Sequence, residues 1–164
     1  MTGERNEQHI IDFIMQNQER CYRLAYSYVQ NEQDALDVVH DSIVKALRYS
    51  KTLKDIGSLK TWFYKIVVHT SLDYLKKRKK MYVSDCKVEK WYLVDYSTSL
   101  CVTEAISMLS PIEQTIIKLR FFEDMRIEDI SEILDMNKST VKTKLYAALR
   151  KMKGKVSESY ETDK

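Results

Sequence analysis

Between Lys138 and Lys153 the chain carries six Lys or Arg and no acid. Ser139, Lys142, Thr143, Tyr146 and Arg150 recur at steps of three and four, so one helix face collects cations and hydroxyls while Val141, Leu145, Ala148 and Met152 form the opposite, packing face. Such donors suit phosphates and base edges in a major groove. Upstream, Ile127, Ile130, Ile133 and Leu134 keep a helical period among acidic Glu128, Asp129 and Glu132. Asp135-Met136-Asn137 then offers a tight turn, with Asp135 able to take a left-handed backbone and Asn137 placed as the next N-cap. Arg126 to Lys153 therefore reads as a helix-turn-helix with its recognition helix second. A solvated basic helix is the competing reading. The acidic first helix and the three-residue turn argue against it.

A second concentration of chemistry lies between Asp34 and Arg48. Asp34, Asp37, Asp41, Lys45 and Arg48 share one helix stripe, and Leu36, Val39, Ile43 and Leu47 form the expected buried one. The helix dipole accounts for acids in a first turn but less well for Asp41. A metal or catalytic site would need convergent partners, and His40, next to Asp41 in sequence, lies about 100° away around the helix. A protein-docking face is the better reading. A third concentration is the run LKTWFYKIVVHTSLDYLKKRKK, which ends in five consecutive basic residues, Lys76 to Lys80. Trp62, Ile66, Val67, Leu72 and Leu75 supply its expected buried side. Five cations exceed what a helix end requires, and the upstream aromatics could stack on single-stranded bases. Trp62 taken alone reads as a core tryptophan.

The elements that must position these groups are helical. A helix or two abutting helices span His9 to about Val29, and Asn31 to Asp34 supply a break and caps. Leu53 to Ser58 interrupt again, with Ser58 as N-cap of the aromatic helix. Met81 to Ser99 lose the period and mark a boundary. Leu100 to Leu109 form a short helix, Ser110-Pro111 restarts the chain, and Ile112 to Phe122 bring Ile116, Ile117, Leu119 and Phe121 to the core. The tail from Gly154 is polar and expected to fray. The resulting organisation is two small helical domains, 1–80 and 100–157, with a linker at 81–99 and a polar tail at 158–164.

Composition agrees with an all-α fold. Only 3 Gly and 1 Pro occur in 164 residues, and no long stretch alternates at the strand period. With 27 basic and 24 acidic residues the net charge is only +3, so what matters is where charges cluster. No apolar run approaches a membrane span and the N-terminus lacks the order of a signal peptide, which predicts a cytoplasmic protein. Cys21, Cys86 and Cys101 are too scattered for a disulfide framework or zinc site, and Cys21 falls on an apolar helix face. There is no Gly-rich nucleotide loop and no nucleophile–base set. Neither catalysis nor a cofactor nor a metal is expected.

In their order and spacing, DALDVVHDSIVKAL, TWFYKIVVHTSLDYLKKRKK and LSPIEQTIIKLRFFEDMRIEDISEILDMNKSTVKTKLYAALRKMK resemble regions 2.2, 2.3–2.4 and 4 of the bacterial extracytoplasmic-function (ECF) sigma factors. The resemblance covers nearly the whole chain. It implies a promoter-specificity factor for core RNA polymerase, in an envelope or extracytoplasmic stress regulon, held by an anti-sigma factor that is commonly membrane-anchored. Asp34, Asp37 and Asp41, with His40 where the family usually has Gln and with Lys45 and Arg48 on the same stripe, match the surface that docks on the polymerase clamp helices. Leu59, Lys60 and His69 match positions that capture a flipped base of the minus-ten element, beside Trp62. His69 stands where many members carry Asn. Lys76, Lys77 and Arg78 would hold the backbone near the melting point. Lys138, Ser139, Thr140, Lys142, Thr143, Lys144 and Tyr146 match the minus-thirty-five recognition helix, flanked by Arg126 and Arg150, and Asp135 replaces the usual turn glycine.

Other classes remain open to the residues alone. A helix-turn-helix repressor or activator would bind duplex without core polymerase, and a single-strand or RNA adaptor would use the Trp62 region. A receiver-type regulator is disfavoured because no strand precedes a candidate phosphorylatable Asp.

Overall fold

The computed structural model describes residues 2–81 and 100–162. All regular structure among them is helical. The chain divides into two compact units, Met1–Val88 and Glu89–Lys164. The expected linker, Met81 apart, lies outside the described residues, as does Cys86.

The first unit packs three helices, α1 (Thr2–Val29), α2 (Glu32–Arg48) and α3 (Leu59–Met81). Helix α1 starts seven residues before His9 because its polar first turns have partners: Asn6 Nδ2 donates to the carbonyls of Ser50 (3.2 Å) and Leu53 (3.0 Å). It breaks at Asn17 (φ −122°, ψ 18°), whose Nδ2 donates to the Phe13 carbonyl at 2.8 Å, so two abutting segments form. Gln30 reverses the chain at φ 52°, and the Asn31 side chain accepts the Asp34 amide at 3.0 Å to start α2. Before α3 the capping falls to Asp55, one turn earlier than the expected Ser58. Asp55 Oδ1 accepts the Gly57 amide at 3.0 Å, and Ser58 Oγ donates to the Asp55 carbonyl. A Cβ at Gly57 would lie 3.2 Å from Asp55 Oδ2, so a side chain there would crowd the cap.

Ile10, Ile14, Leu24, Ala25, Ala35, Val38, Ala46, Phe63, Tyr64, Val67 and Val68 fill the first core. Each large member contributes roughly 1.5–3 kcal/mol by leaving water. Phe63 meets Phe13 edge-on, with centroids 6.0 Å apart, and Cys21 is buried as expected. Two expected stripes are corrected. On α2 the buried positions are the small residues Ala35, Val38, Ser42 and Ala46, and Leu36 is 54% exposed. On α3, Phe63 and Tyr64 are fully buried and Trp62 is only half-buried, its Nε1 donating to Thr52 Oγ1 at 3.3 Å. Helix α3 packs against both α1 and α2, so more than half of its circumference is covered.

The second unit contains α4 (Leu100–Ser107), α5 (Pro111–Ile117), α6 (Ile127–Leu134) and α7 (Lys138–Thr162). Ser110 Oγ accepts the Glu113 amide (3.3 Å) while Glu113 Oε2 accepts the Ser110 amide (3.0 Å), with Pro111 at the first helical position. After α5 the chain widens into a π turn at Lys118–Phe122, closed by the Glu123 amide on the Lys118 carbonyl at 3.1 Å. Leu119 stays in the core, but Phe121 is 57% exposed, against expectation. The extra residue in the turn displaces it from the inward register.

Ile106, Ile116, Ile117, Met125, Ile130, Ile133, Val141, Leu145 and Ala148 complete this core. Asp135 takes the left-handed conformation foreseen for it (φ 52°, ψ 44°) and ends α6, and the Asn137 carbonyl accepts the Val141 amide as α7 begins. Helix α7 continues through Gly154 to Thr162, where the sequence predicted a frayed tail.

Candidate nucleic-acid and docking interfaces

Helix α7 carries the clearest site. Lys138, Ser139, Lys142, Thr143, Tyr146 and Arg150 are exposed, Thr140 and Lys144 are half-buried at the flanks, and Val141, Leu145 and Ala148 face the core. The Thr143 hydroxyl donates to the Ser139 carbonyl at 2.9 Å, which leaves its methyl and oxygen lone pairs for an approaching base. Arg126 is pre-oriented by Asp129: its Nε and Nη2 lie 3.2 and 3.4 Å from the two carboxylate oxygens, and its amide donates to Oδ2. Lys151, on the same helix, turns away from the open face. Its Nζ lies 2.9 and 3.1 Å from the Glu113 oxygens. Burial pushes the Glu113 carboxyl up, but hydrogen bonds from Lys151 and Ser110 and the Lys151 charge outweigh it and hold the pKa below its ordinary value.

On α2 the exposed face comprises Leu36, Asp37, His40, Asp41, Val44 and Arg48. Two members of the expected stripe belong elsewhere. Asp34 is half-buried and bonded to α3, accepting from Tyr74 Oη at 2.8 Å. Lys45 Nζ donates to Thr70 Oγ1 at 3.2 Å and lies 3.5 Å from Asp41. The sequence reading missed the apolar members Leu36 (54% exposed) and Val44 (39%). Their spacing with His40, at i, i+4 and i+8, was the available signal.

On α3 the open face is His69, Asp73 and Lys76, with Lys77 beside it and the half-buried Lys65 and Trp62 in line with it one and two turns earlier. Trp62 and His69 thus share a surface, as their proposed common role requires. Leu59 does not join them. It is 6% exposed, held inward at the first turn of α3, and a sealed side chain has no surface to offer DNA. Lys60 is half-buried, its Nζ 5.8 Å from the Tyr64 ring centroid. Arg78 is also engaged internally, donating to the Val29 carbonyl at 3.2 Å and lying 3.6 Å from Asp34 Oδ2. Among the described residues no three His, Cys, Asp or Glu side chains converge as a metal site would need, and no helix is long and apolar enough to cross a membrane.

Comparison with known proteins bears on both units. Residues 13–81 match the family model for sigma-70 region 2, and residues 99–152 match that for sigma-70 region 4. RNA polymerase sigma factor SigV of Bacillus subtilis is 42% identical over 147 residues, covering 88% of this chain and 89% of that protein. The ECF RNA polymerase sigma-E factor of Haemophilus influenzae is 23% identical over 95% of this chain and 98% of its own length. Among solved structures, the sigma factor RpoE, in complex with the anti-sigma factor NepR from Bartonella quintana, has the same fold with a TM-score of 0.75 at 20% identity, over 89% of this chain and 95% of that one. With two family models lying across both units and a relative this similar along nearly its whole length, the chain belongs to the extracytoplasmic-function group of the sigma-70 family, transcription initiation factors that bind core RNA polymerase and direct it to promoters.

Proposed function

We propose that the α2 face of Leu36, Asp37, His40, Asp41, Val44 and Arg48 docks on core polymerase. On this reading Trp62, His69, Lys76 and Lys77 of α3 hold the opened minus-ten strand, and the α7 face of Ser139, Lys142, Thr143, Tyr146 and Arg150, with Lys138, reads the minus-thirty-five duplex. The single observation that carries it is the division of α3 and α7 alike into a packed face and an open face bearing cations beside groups that can contact bases. Unstacking one base costs a few kcal/mol, which a pocket contact and salt-sensitive phosphate contacts offset together. The polymerase performs the chemistry. The factor acts in the cytoplasm, within an extracytoplasmic stress regulon, and a membrane-anchored anti-sigma factor restrains it. The complex of RpoE with the anti-sigma factor NepR supports such restraint by likeness of fold.

Run-off transcription with purified core polymerase on a candidate promoter tests the whole reading. Specific transcripts are expected, and duplex binding without them would favour a helix-turn-helix repressor or activator. Three variants assign the surfaces. Asp37→Lys with Asp41→Lys should weaken holoenzyme assembly at unchanged helical content. His69→Ala should keep the closed complex but reduce permanganate reactivity of thymines near the start site, and His69→Asn should restore it.

A further inference from the structure

Three helix ends meet where α1 hands over to α2 and α3 finishes. Tyr74 Oη donates to Asp34 Oδ1 at 2.8 Å, and Arg78 Nη1 lies 3.6 Å from Asp34 Oδ2 while donating to the Val29 carbonyl at 3.2 Å. Asp34 sits in the first turn of α2, and Val29 is the last residue of α1. A cation at the carbonyl end of α1 and a carboxylate at the amide end of α2 are each favoured by the local helix dipole. The Asp34 side chain is 22% exposed against 60% for Asp41, so the two carboxylates occupy different settings. The Tyr74 hydroxyl is pushed above its ordinary pKa of 10.0 by its hydrogen bond to Asp34, with burial and the Asp34 and Asp37 charges adding to this and Arg78 opposing it.

We propose that Tyr74, Asp34 and Arg78 are positioning residues that lock the cationic end of α3 to the docking helix α2, and that Arg78 makes no DNA phosphate contact while the lock is intact. The inference rests on the promoter-opening reading and deepens it. Asp34 then works inside the unit and not at the polymerase. Among the residues of this run whose side chains the structure describes, the phosphate track is left to Lys76 and Lys77, exposed on the last turns of α3. Tyr74 orients the carboxylate, the carboxylate orients the guanidinium, and the guanidinium closes the α1 terminus. Because the polymerase holds α2, the lock also fixes where the cations stand relative to the enzyme.

Holoenzymes carrying Tyr74→Phe, Asp34→Asn, Arg78→Gln and the double variant Asp34→Asn/Arg78→Gln test it. Core affinity should stay within about twofold of wild type for the single variants, since the open α2 face is untouched. Promoter opening should slow about fivefold in Tyr74→Phe, the equivalent of one hydrogen bond. The salt slope of promoter binding should be unchanged in Arg78→Gln. It should steepen in Asp34→Asn by up to one phosphate, about 0.7–0.9, and return in the double variant. A slope that drops by a full phosphate in Arg78→Gln would make Arg78 a DNA contact, and lost core affinity in Asp34→Asn would return Asp34 to the docking face. Either result overturns the proposal. An independent reading uses the free protein: carbon-13 NMR of ring-labelled tyrosine should show Tyr74 titrating above 10.0 and moving down in Asp34→Asn. An unmoved titration breaks the lock whatever the polymerase does, while failure of the wild-type protein to open any promoter would sink the promoter reading and leave the titration to decide the lock.

Discussion

Helices α3 and α7 both carry cationic faces, yet only α7 wears its burial pattern openly in its sequence. Helix α7 packs one narrow stripe, Val141, Leu145 and Ala148, and leaves the opposite side open. An apolar residue on α7 at helical spacing therefore means core. Helix α3 lies against both α1 and α2, and its covered sector includes Leu59, Thr61, Phe63, Tyr64, Val67, Val68, Thr70 and Ser71. On such a helix, hydrophobicity cannot locate the exposed side, because threonine and serine are buried and tryptophan is half out. The number of neighbours does not decide this, since α7 packs against α4, α5 and α6. What decides it is whether the buried residues keep to one stripe, as on α7, or spread around the helix, as on α3, whose open side is read better from the charges at Asp73 and Lys76.

The largest effect expected from this difference is in stability. Phe63→Ala should cost about 3–5 kcal/mol, by deleting a fully buried ring and its edge contact with Phe13. Trp62→Ala should cost only about 1 kcal/mol, the centre of the range for point substitutions, while reducing promoter opening. Chemical denaturation midpoints for the two variants decide it. The reverse ranking would restore Trp62 to the core and break the contrast with α7.

The second unit offers a capping test of intermediate size. Ser110→Ala should lower stability by about 1 kcal/mol by removing half of a reciprocal cap. Glu113 adds a pH signature. Its pKa is depressed on folding, so its stabilising contribution is complete above the ordinary value of 4.5 and is lost as pH falls through the lower folded value. Thermal melts between neutral and acid pH should show this loss, and Glu113→Gln should remove that part of the pH dependence. An unchanged acid limb would mean that Lys151 does not hold the carboxylate in solution.

Much of this architecture followed from local chemistry. The Ser110-Pro111 start, the Asn31 cap, the left-handed Asp135 and the open face of α7 all depend on residues within a few positions of each other. What escaped depends on distant partners. Nothing near Asp34 announces that Tyr74 and Arg78 will claim it, and nothing near Lys151 announces Glu113. Residues 2–8 are helical because Asn6 reaches the carbonyls of Ser50 and Leu53. The π turn that exposes Phe121 inserts one residue into a helix without any Gly or Pro to mark it. Charged residues are thus visible in the sequence as clusters, whereas their division into those facing outward and those bonded within the unit requires the fold.

That division gives a third prediction. Lys142→Ala should reduce the salt slope of binding to the upstream element by about 0.9, equivalent to roughly threefold in affinity across a fourfold salt change. Lys151→Ala should leave the slope unchanged although it lies on the same helix, because its ammonium is held by Glu113. Equal slopes for both variants, measured by fluorescence anisotropy on the duplex, would erase the distinction between open and internally bonded cations on α7.

The smallest effect concerns the turn that sets α7 against α6. Asp135 sits at φ 52° and ψ 44°, and the Met136 amide behind it closes on the Ser131 carbonyl at 3.0 Å. A left-handed backbone costs an ordinary L-residue roughly 1–2 kcal/mol, and aspartate less, because a short polar side chain can bond locally. Glycine carries no such cost but gives up more chain entropy on folding. Asp135→Ala should therefore destabilise the second unit by about 1 kcal/mol. Asp135→Gly should fall within a few tenths of wild type, with the relieved backbone and the added entropy nearly cancelling. Both variants should keep sequence preference at the upstream element, since Asp135 precedes the reading face. If alanine proved neutral, the turn would have relaxed out of the left-handed region. The angle between α6 and α7 would then have to be held by Ile130, Ile133 and Val141 in the core, which are buried in the same unit, and Val141→Ala would become the variant that shifts promoter preference.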